Sequence, residues 1–172
     1  MYHDNALTIR DPGADEEIPY HLLLEADPSR ELVDAYLKDA KLRLAYLNDK
    51  LVGVYVLRLE EKKDNNKKAE IMNISIESDL QGRGFGKHLI LDAVNLAKSL
   101  GALELIVATG NSSISQLAFY QKSGFRISKI VPDHFLKHYP EKIIEDGIWC
   151  RDQIILSMDL SSVSEHLLRR GP

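Results

Sequence analysis

The segment Gln81-Gly82-Arg83-Gly84-Phe85-Gly86-Lys87 constrains this chain more than any other. It stands between an apolar stretch that reads as a strand, Glu70 to Glu77, and a run in which Leu89, Ile90, Ala93, Val94, Ala97 and Leu100 recur at helical spacing. A glycine turn that feeds a strand into a helix leaves the N–H groups of the first helical turn unpartnered, at the positive end of the helix dipole. Anions bind there most easily, and Arg83 and Lys87 add charge. Glycines can also serve turn geometry alone, but three in alternation with two cations among them ask for more than a turn. Two nucleotide motifs fail on inspection. A phosphate-binding Walker loop requires Gly at Gln81 and Ser or Thr at His88, and the dinucleotide fingerprint requires Gly at Lys87 or Leu89.

Around this turn the chain reads as one α+β domain, residues 1–160, with a C-terminal tail, 161–172, in which Ser161 to Glu165 could cap a short helix through Leu168. A first strand, Leu7 to Arg10, ends at Asp11-Pro12-Gly13. Helices follow over Glu17 to Ala26, burying Ile18, Leu22 and Leu23, and over Ser29 to Asp39, with Ser29 as N-cap and Leu32, Val33, Tyr36 and Leu37 on one face. Strands Leu42–Leu47 and Leu51–Leu59 flank a hairpin turn at Asn48-Asp49-Lys50, and the charged run Glu60 to Lys68 reads as a solvated turn. In the central strand, Ile74 and Ile76 fall on one face and Ile71, Asn73 and Ser75 on the other. A helix from Gly84 to Leu100 is capped by Gly101. Then come a strand Leu103–Ala108, a helix Ser113–Lys122, a strand Phe125–Val131, a helical excursion His134–Glu145 and a long strand Ile148–Leu160.

Composition removes several classes of function. A single cysteine, Cys150, excludes an internal disulfide framework and a cysteine-based zinc site. His134 and His138 are four apart, as in some zinc sites, but no third ligand is evident, so no metal is expected. A net charge of -4 with scattered basic residues argues against nucleic acid, and no stretch approaches a membrane span or signal peptide, which points to the cytoplasm.

The pattern Gln81-x-x-Gly84-x-Gly86 after a strand resembles the acetyl-CoA signature of the GNAT superfamily. A second stretch, Ala118-Phe119-Tyr120-Gln121-Lys122-Ser123-Gly124-Phe125, resembles that family's helix-to-strand segment ending in tyrosine, glycine and an aromatic. The resemblance spans nearly the whole chain and implies a GNAT fold, a mixed, mostly antiparallel sheet flanked by helices. It further implies that the amides of Gly82 through Lys87, Arg83 and Phe85 included, hold the pyrophosphate of acetyl-CoA. The pantetheine arm would lie along Ile74, Ser75 and Ile76, with Ser113 or Asn111 as its side-chain contact and Tyr120 near the sulfur. The activity implied is acetyl transfer to a primary amine of a small molecule or peptide by direct attack; the alternative is a non-catalytic CoA-binding or protein-interaction module. A homodimer is compatible with both.

Acetyl transfer needs a neutral nitrogen, a stabilised oxyanion and a donor for the departing thiolate. Tyr120, a phenol of ordinary pKa about 10, suits the last role. A backbone N–H at a bulge near Ile74 suits the second. For the base, Glu70 is the candidate, with Glu77 and a water aligned by Asn73 as other routes. His134, Phe135, Tyr139 and Trp149, in the excursion and the strand after it, are candidate acceptor contacts. Cys150 reads as an apolar filler rather than a nucleophile.

Overall fold

The computed structural model describes residues 7–61 and 66–161. Seven strands form one sheet in the order β1-β2-β3-β4-β5-β9-β6: β1 (Leu7–Arg10), β2 (Ala40–Leu47), β3 (Lys50–Glu61), β4 (Lys67–Ile76), β5 (Ala102–Gly110), β6 (Arg126–Val131) and β9 (Gln153–Asp159). All neighbours are antiparallel except β4 and β5, which the helix α3 (Phe85–Ser99) connects as a parallel crossover. On one face, α3 lies across β3, β4 and β5, and Leu89, Ile90, Ala93, Val94 and Ala97 pack on Ala69, Ile71 and Leu105. On the other face, α1 (Tyr20–Ala26) and α2 (Arg30–Leu37) cover Val54 and Val56 with Leu22, Leu23, Val33 and Tyr36.

Local chemistry explains the element ends. Ser29 Oγ accepts from the Leu32 N–H at 3.3 Å, capping α2. Gly101, at φ 82°, ends α3 with its N–H on the Lys98 carbonyl. Asn48 and Asp49 both have positive φ, which matches the strand twist on either side of the β2–β3 hairpin.

Several expectations need correction. Pro19 is the N-cap of α1, so that helix begins at Tyr20 rather than Glu17, and Ile18 and Leu32 are exposed. The charged run is strand at both ends, where Glu60 and Glu61 pair across with Lys68 and Lys67 and opposite charges face each other; residues 62–65 of the expected turn lie outside the described residues. The excursion is helical only over α5 (His134–His138), after which β7 (Ile143–Glu145) and β8 (Ile148–Cys150) form a hairpin about Asp146-Gly147, both at positive φ. The last strand is therefore broken between Cys150 and Gln153. The helix expected through Leu168 lies outside the described residues.

Candidate active site

Strand β4 carries the decisive irregularity. Leu57 pairs with Ile71 and Val56 with Asn73, so Met72 is an extra residue, a β-bulge. The bulge sits two residues before the position expected at Ile74, and it changes the faces. Ile71, Ile74 and Ile76 all join the core beneath α3, while Met72 packs toward α1 and α2 and Asn73 bonds there, its Nδ2 donating to the Leu23 carbonyl at 2.8 Å and to the Tyr36 hydroxyl at 2.9 Å. Pairing of β4 with β5 stops at the same point, with Ile71 opposite Val107. Beyond it the two parallel strands diverge, and the β5-facing edge of Asn73 to Ile76 has no strand partner.

A cleft of about 640 Å³ fills one side of that divergence. Its wall runs from Gln81, Gly82, Gly84, Gly86 and Lys87 along Ile74, Ser75 and Ile76 to Tyr120. Gln81 Nε2 donates to the Ile76 carbonyl at 3.0 Å and ties the glycine turn to the strand end. The three glycines differ in purpose. Gly82 and Gly84 adopt φ of 75° and 89°, which L side chains resist, and a Cβ on either would point into open space. At Gly86 a Cβ would stand 3.0 Å from the Phe119 ring, so this glycine allows helix α4 (Ile114–Lys122) to approach α3. The N–H groups of Phe85 and Gly86, the first two residues of α3, have no intrahelical acceptor, so the turn fits a pyrophosphate. Arg83 and the Phe85 side chain do not line the cleft; Phe85 packs on the core.

A second cavity, about 480 Å³, opens on the other side of Tyr120. Ile74, Gln116 and Tyr120 line both spaces, as do Glu25 and Ala26 at the end of α1. Tyr120 is 4% exposed and packed against the rings of Phe119 and Phe125, and burial alone pushes its phenol up to about 12. Glu70, His134, Phe135, Tyr139 and Cys150 face the second cavity. Trp149 does not; its ring carries the charges of Lys142 and Arg151.

Residues 9–125 match the acetyltransferase (GNAT) family. The chain belongs to that family. It is 51% identical over 141 residues, 82% of its length and 88% of the relative's, to an uncharacterized N-acetyltransferase, YvbK, of Bacillus subtilis. Among solved structures, a GNAT acetyltransferase from Elizabethkingia anophelis with acetyl-CoA bound superposes with TM-score 0.83 at 44% identity, covering 91% of this chain and 99% of that one. A Bacillus subtilis acetyltransferase in complex with CoA gives 0.82 at 47% identity, covering 90% and 99%. The GNAT fold expected from the two sequence motifs is the fold observed.

Within this GNAT domain the remaining site candidates are placed as follows. Glu70 accepts from Arg58 Nη2 at 2.9 Å across the β3–β4 ladder. Ser113 lies at the second cavity, where its hydroxyl and that of Ser112 donate to Glu145. Asn111 lines neither space. Its Nδ2 donates to the Trp149 carbonyl, and its Oδ1 accepts from the N–H groups of Arg151 and Asp152, at 2.8 to 3.0 Å. That side chain therefore clamps the break between β8 and β9, whose flanking residues Cys150 and Gln153 line the second cavity. Asn111→Ala is expected to cost about 2 kcal/mol in urea unfolding, because two backbone donors lose their acceptor. Kinetically it should raise the acceptor KM several-fold more than the acetyl-CoA KM; the reverse pattern would return Asn111 to the pantetheine.

Sequence reasoning missed Glu25, Asp27, Gln116 and Glu145. Only the last had a local signal, the Asp146-Gly147 turn that follows it and betrays a hairpin.

Proposed function

We propose that the protein transfers the acetyl group of acetyl-CoA directly to a primary amine within a ternary complex. The observation that carries this reading is Tyr120 standing where the two cavities meet, one running back to the glycine turn and the other lined by polar groups. The pyrophosphate rests on the amides at the start of α3, and the pantetheine arm runs along the unpaired edge of Ile74 to Ile76. The amine enters from the second cavity. It loses a proton to Glu70 or to water held among the carboxylates there, and its lone pair attacks the thioester carbon. The tetrahedral oxyanion is held by a backbone N–H of β4 past the Met72 bulge, where no neighbouring strand competes for the donor. As the C–S bond breaks, the Tyr120 hydroxyl donates to the departing sulfur. The products are the N-acetyl amine and free CoA. No metal takes part.

The test is amine-dependent release of CoA thiol from acetyl-CoA by the purified protein, across diamines, amino acids, aminoglycosides and peptides. Release with at least one acceptor, and an acetylated product of the matching mass, is expected. Tight CoA binding with no release on any acceptor would leave only a binding module.

A further inference from the structure

The second cavity has a charge balance that the transfer chemistry does not require. Among the described residues four carboxylates line it, Glu25, Asp27, Glu70 and Glu145, and no Lys or Arg does. Glu70 is compensated by Arg58. Among the described residues the other three have no cationic partner: Asp27 accepts from the Ser29 N–H, and Glu145 only from the hydroxyls of Ser112 and Ser113. His134 does not supply the missing charge. Its burial and the neighbouring His138 and Lys137 lower its pKa, so the imidazole is neutral at pH 7. Burial correspondingly raises the pKa of Asp27, the mark of a carboxylate without a counter-ion.

An independent observation points the same way. Asn73 also lines this cavity and is 3% exposed, yet its Oδ1 has no hydrogen-bond donor. Its Nδ2 is fully engaged with Leu23 and Tyr36, which fixes the amide orientation. Buried acceptors without donors are rare.

Resting on the acetyltransferase reading above, we infer that the acceptor is a small diamine or polyamine, one nitrogen reaching Tyr120 while a second, protonated nitrogen is held by the unpaired carboxylates. The two nitrogens have opposite needs. The attacking one must be neutral, and a cavity of negative charge favours its protonated form, so a second ammonium that neutralises the lining helps the first to lose its proton. A cavity of about 480 Å³ suits a small extended amine. An acceptor bearing a carboxylate would meet like charge there.

The experiment compares initial rates of thiol release for putrescine, butylamine and an ω-aminocarboxylate of the same chain length. Putrescine is expected to exceed butylamine in kcat/KM about tenfold, the size of one charge-assisted hydrogen bond, with the aminocarboxylate slowest. Asp27→Asn and Glu145→Gln, which keep shape and remove charge, should each reduce the putrescine-to-butylamine ratio several-fold. The acetyl-CoA KM serves as the internal check that the fold is intact. Equal rates for putrescine and butylamine, a preference for the aminocarboxylate or for peptides, or ratios unchanged in both variants would overturn the inference while leaving an acetyltransferase. Absence of thiol release with every amine tested would instead remove the reading on which it rests.

Discussion

Replacing Tyr120 by Phe should lower turnover about 100-fold, the usual cost of one donor aimed at developing negative charge, with the acetyl-CoA KM changed by no more than about twofold. The substitution removes one atom and keeps the ring, which packs edge-on against Phe125 at 5.9 Å and tilted against Phe119 at 5.3 Å. Among the described residues the hydroxyl has no hydrogen-bond partner, and burial is the one cause of its raised pKa, so its loss orphans no buried group. Stability should therefore stay within about 0.5 kcal/mol of wild type. The raised pKa also bears on the part proposed for the hydroxyl. A phenol at about 12 is a weaker acid than an alkyl thiol, so it would not surrender its proton fully to the departing thiolate. On the proposed mechanism it donates a hydrogen bond that strengthens as charge gathers on sulfur. Its pH signature follows: a phenol of ordinary pKa would lose the donor as pH rises through 10, whereas here the protonated form, and with it turnover, should persist past that point. Unchanged turnover in Tyr120→Phe would remove the residue from the mechanism.

The lining of the first cleft, the proposed donor half, was legible in the sequence because it is local. Turn, helix start and cations occupy consecutive positions, Gln81 to Lys87, and the tyrosine lies in a second compact stretch, so spacing along the chain maps onto spacing in the fold. The second cavity, the proposed acceptor half, is built from the end of α1, the bulged middle of β4, α5 and the β7–β8 hairpin. No spacing links Glu25 and Asp27 to Glu145; only tertiary packing brings them to one cavity. The bulge was expected near Ile74, but its place at Met72 and its effect on the faces were not legible, for a different reason. A run such as Ile71-Met72-Asn73-Ile74 looks like imperfect alternation, and assuming an unbroken period of two put Ile71 on the wrong face. The polar Asn73 amid apolar residues was the visible sign, since its amide needs the Leu23 carbonyl and the Tyr36 hydroxyl on the far face. The Asp146-Gly147 hairpin was overlooked although its sequence is among the clearest of turn signals, because α5 before it supplied a helical start that was extended too far.

Gly84→Val should weaken acetyl-CoA binding roughly 100-fold, about 2.7 kcal/mol, while the acceptor KM moves little. Gly84 is the N-cap of α3 at φ 89°, a conformation that costs an L residue about 1–2 kcal/mol and a β-branched one more. In the free protein the turn can relax part of that strain by rotating the peptides on either side, so the loss in unfolding free energy should stay near the lower figure. Binding then has to restore the strained geometry, because the proposed anion site is the helix start, with the N–H groups of Phe85 and Gly86, that the Gly84 conformation sets. The valine side chain adds a second obstacle. A Cβ at this position meets no protein atom within 4 Å, so the branched methyls extend into the very space the pyrophosphate is proposed to occupy. Calorimetric titration with CoA and urea unfolding of the same variant separate the two costs: an affinity loss well beyond the stability loss places the phosphates at this turn. If the affinity falls no further than the stability does, the glycine serves the turn alone, and the cleft must hold its ligand by the strand edge and Lys87 instead.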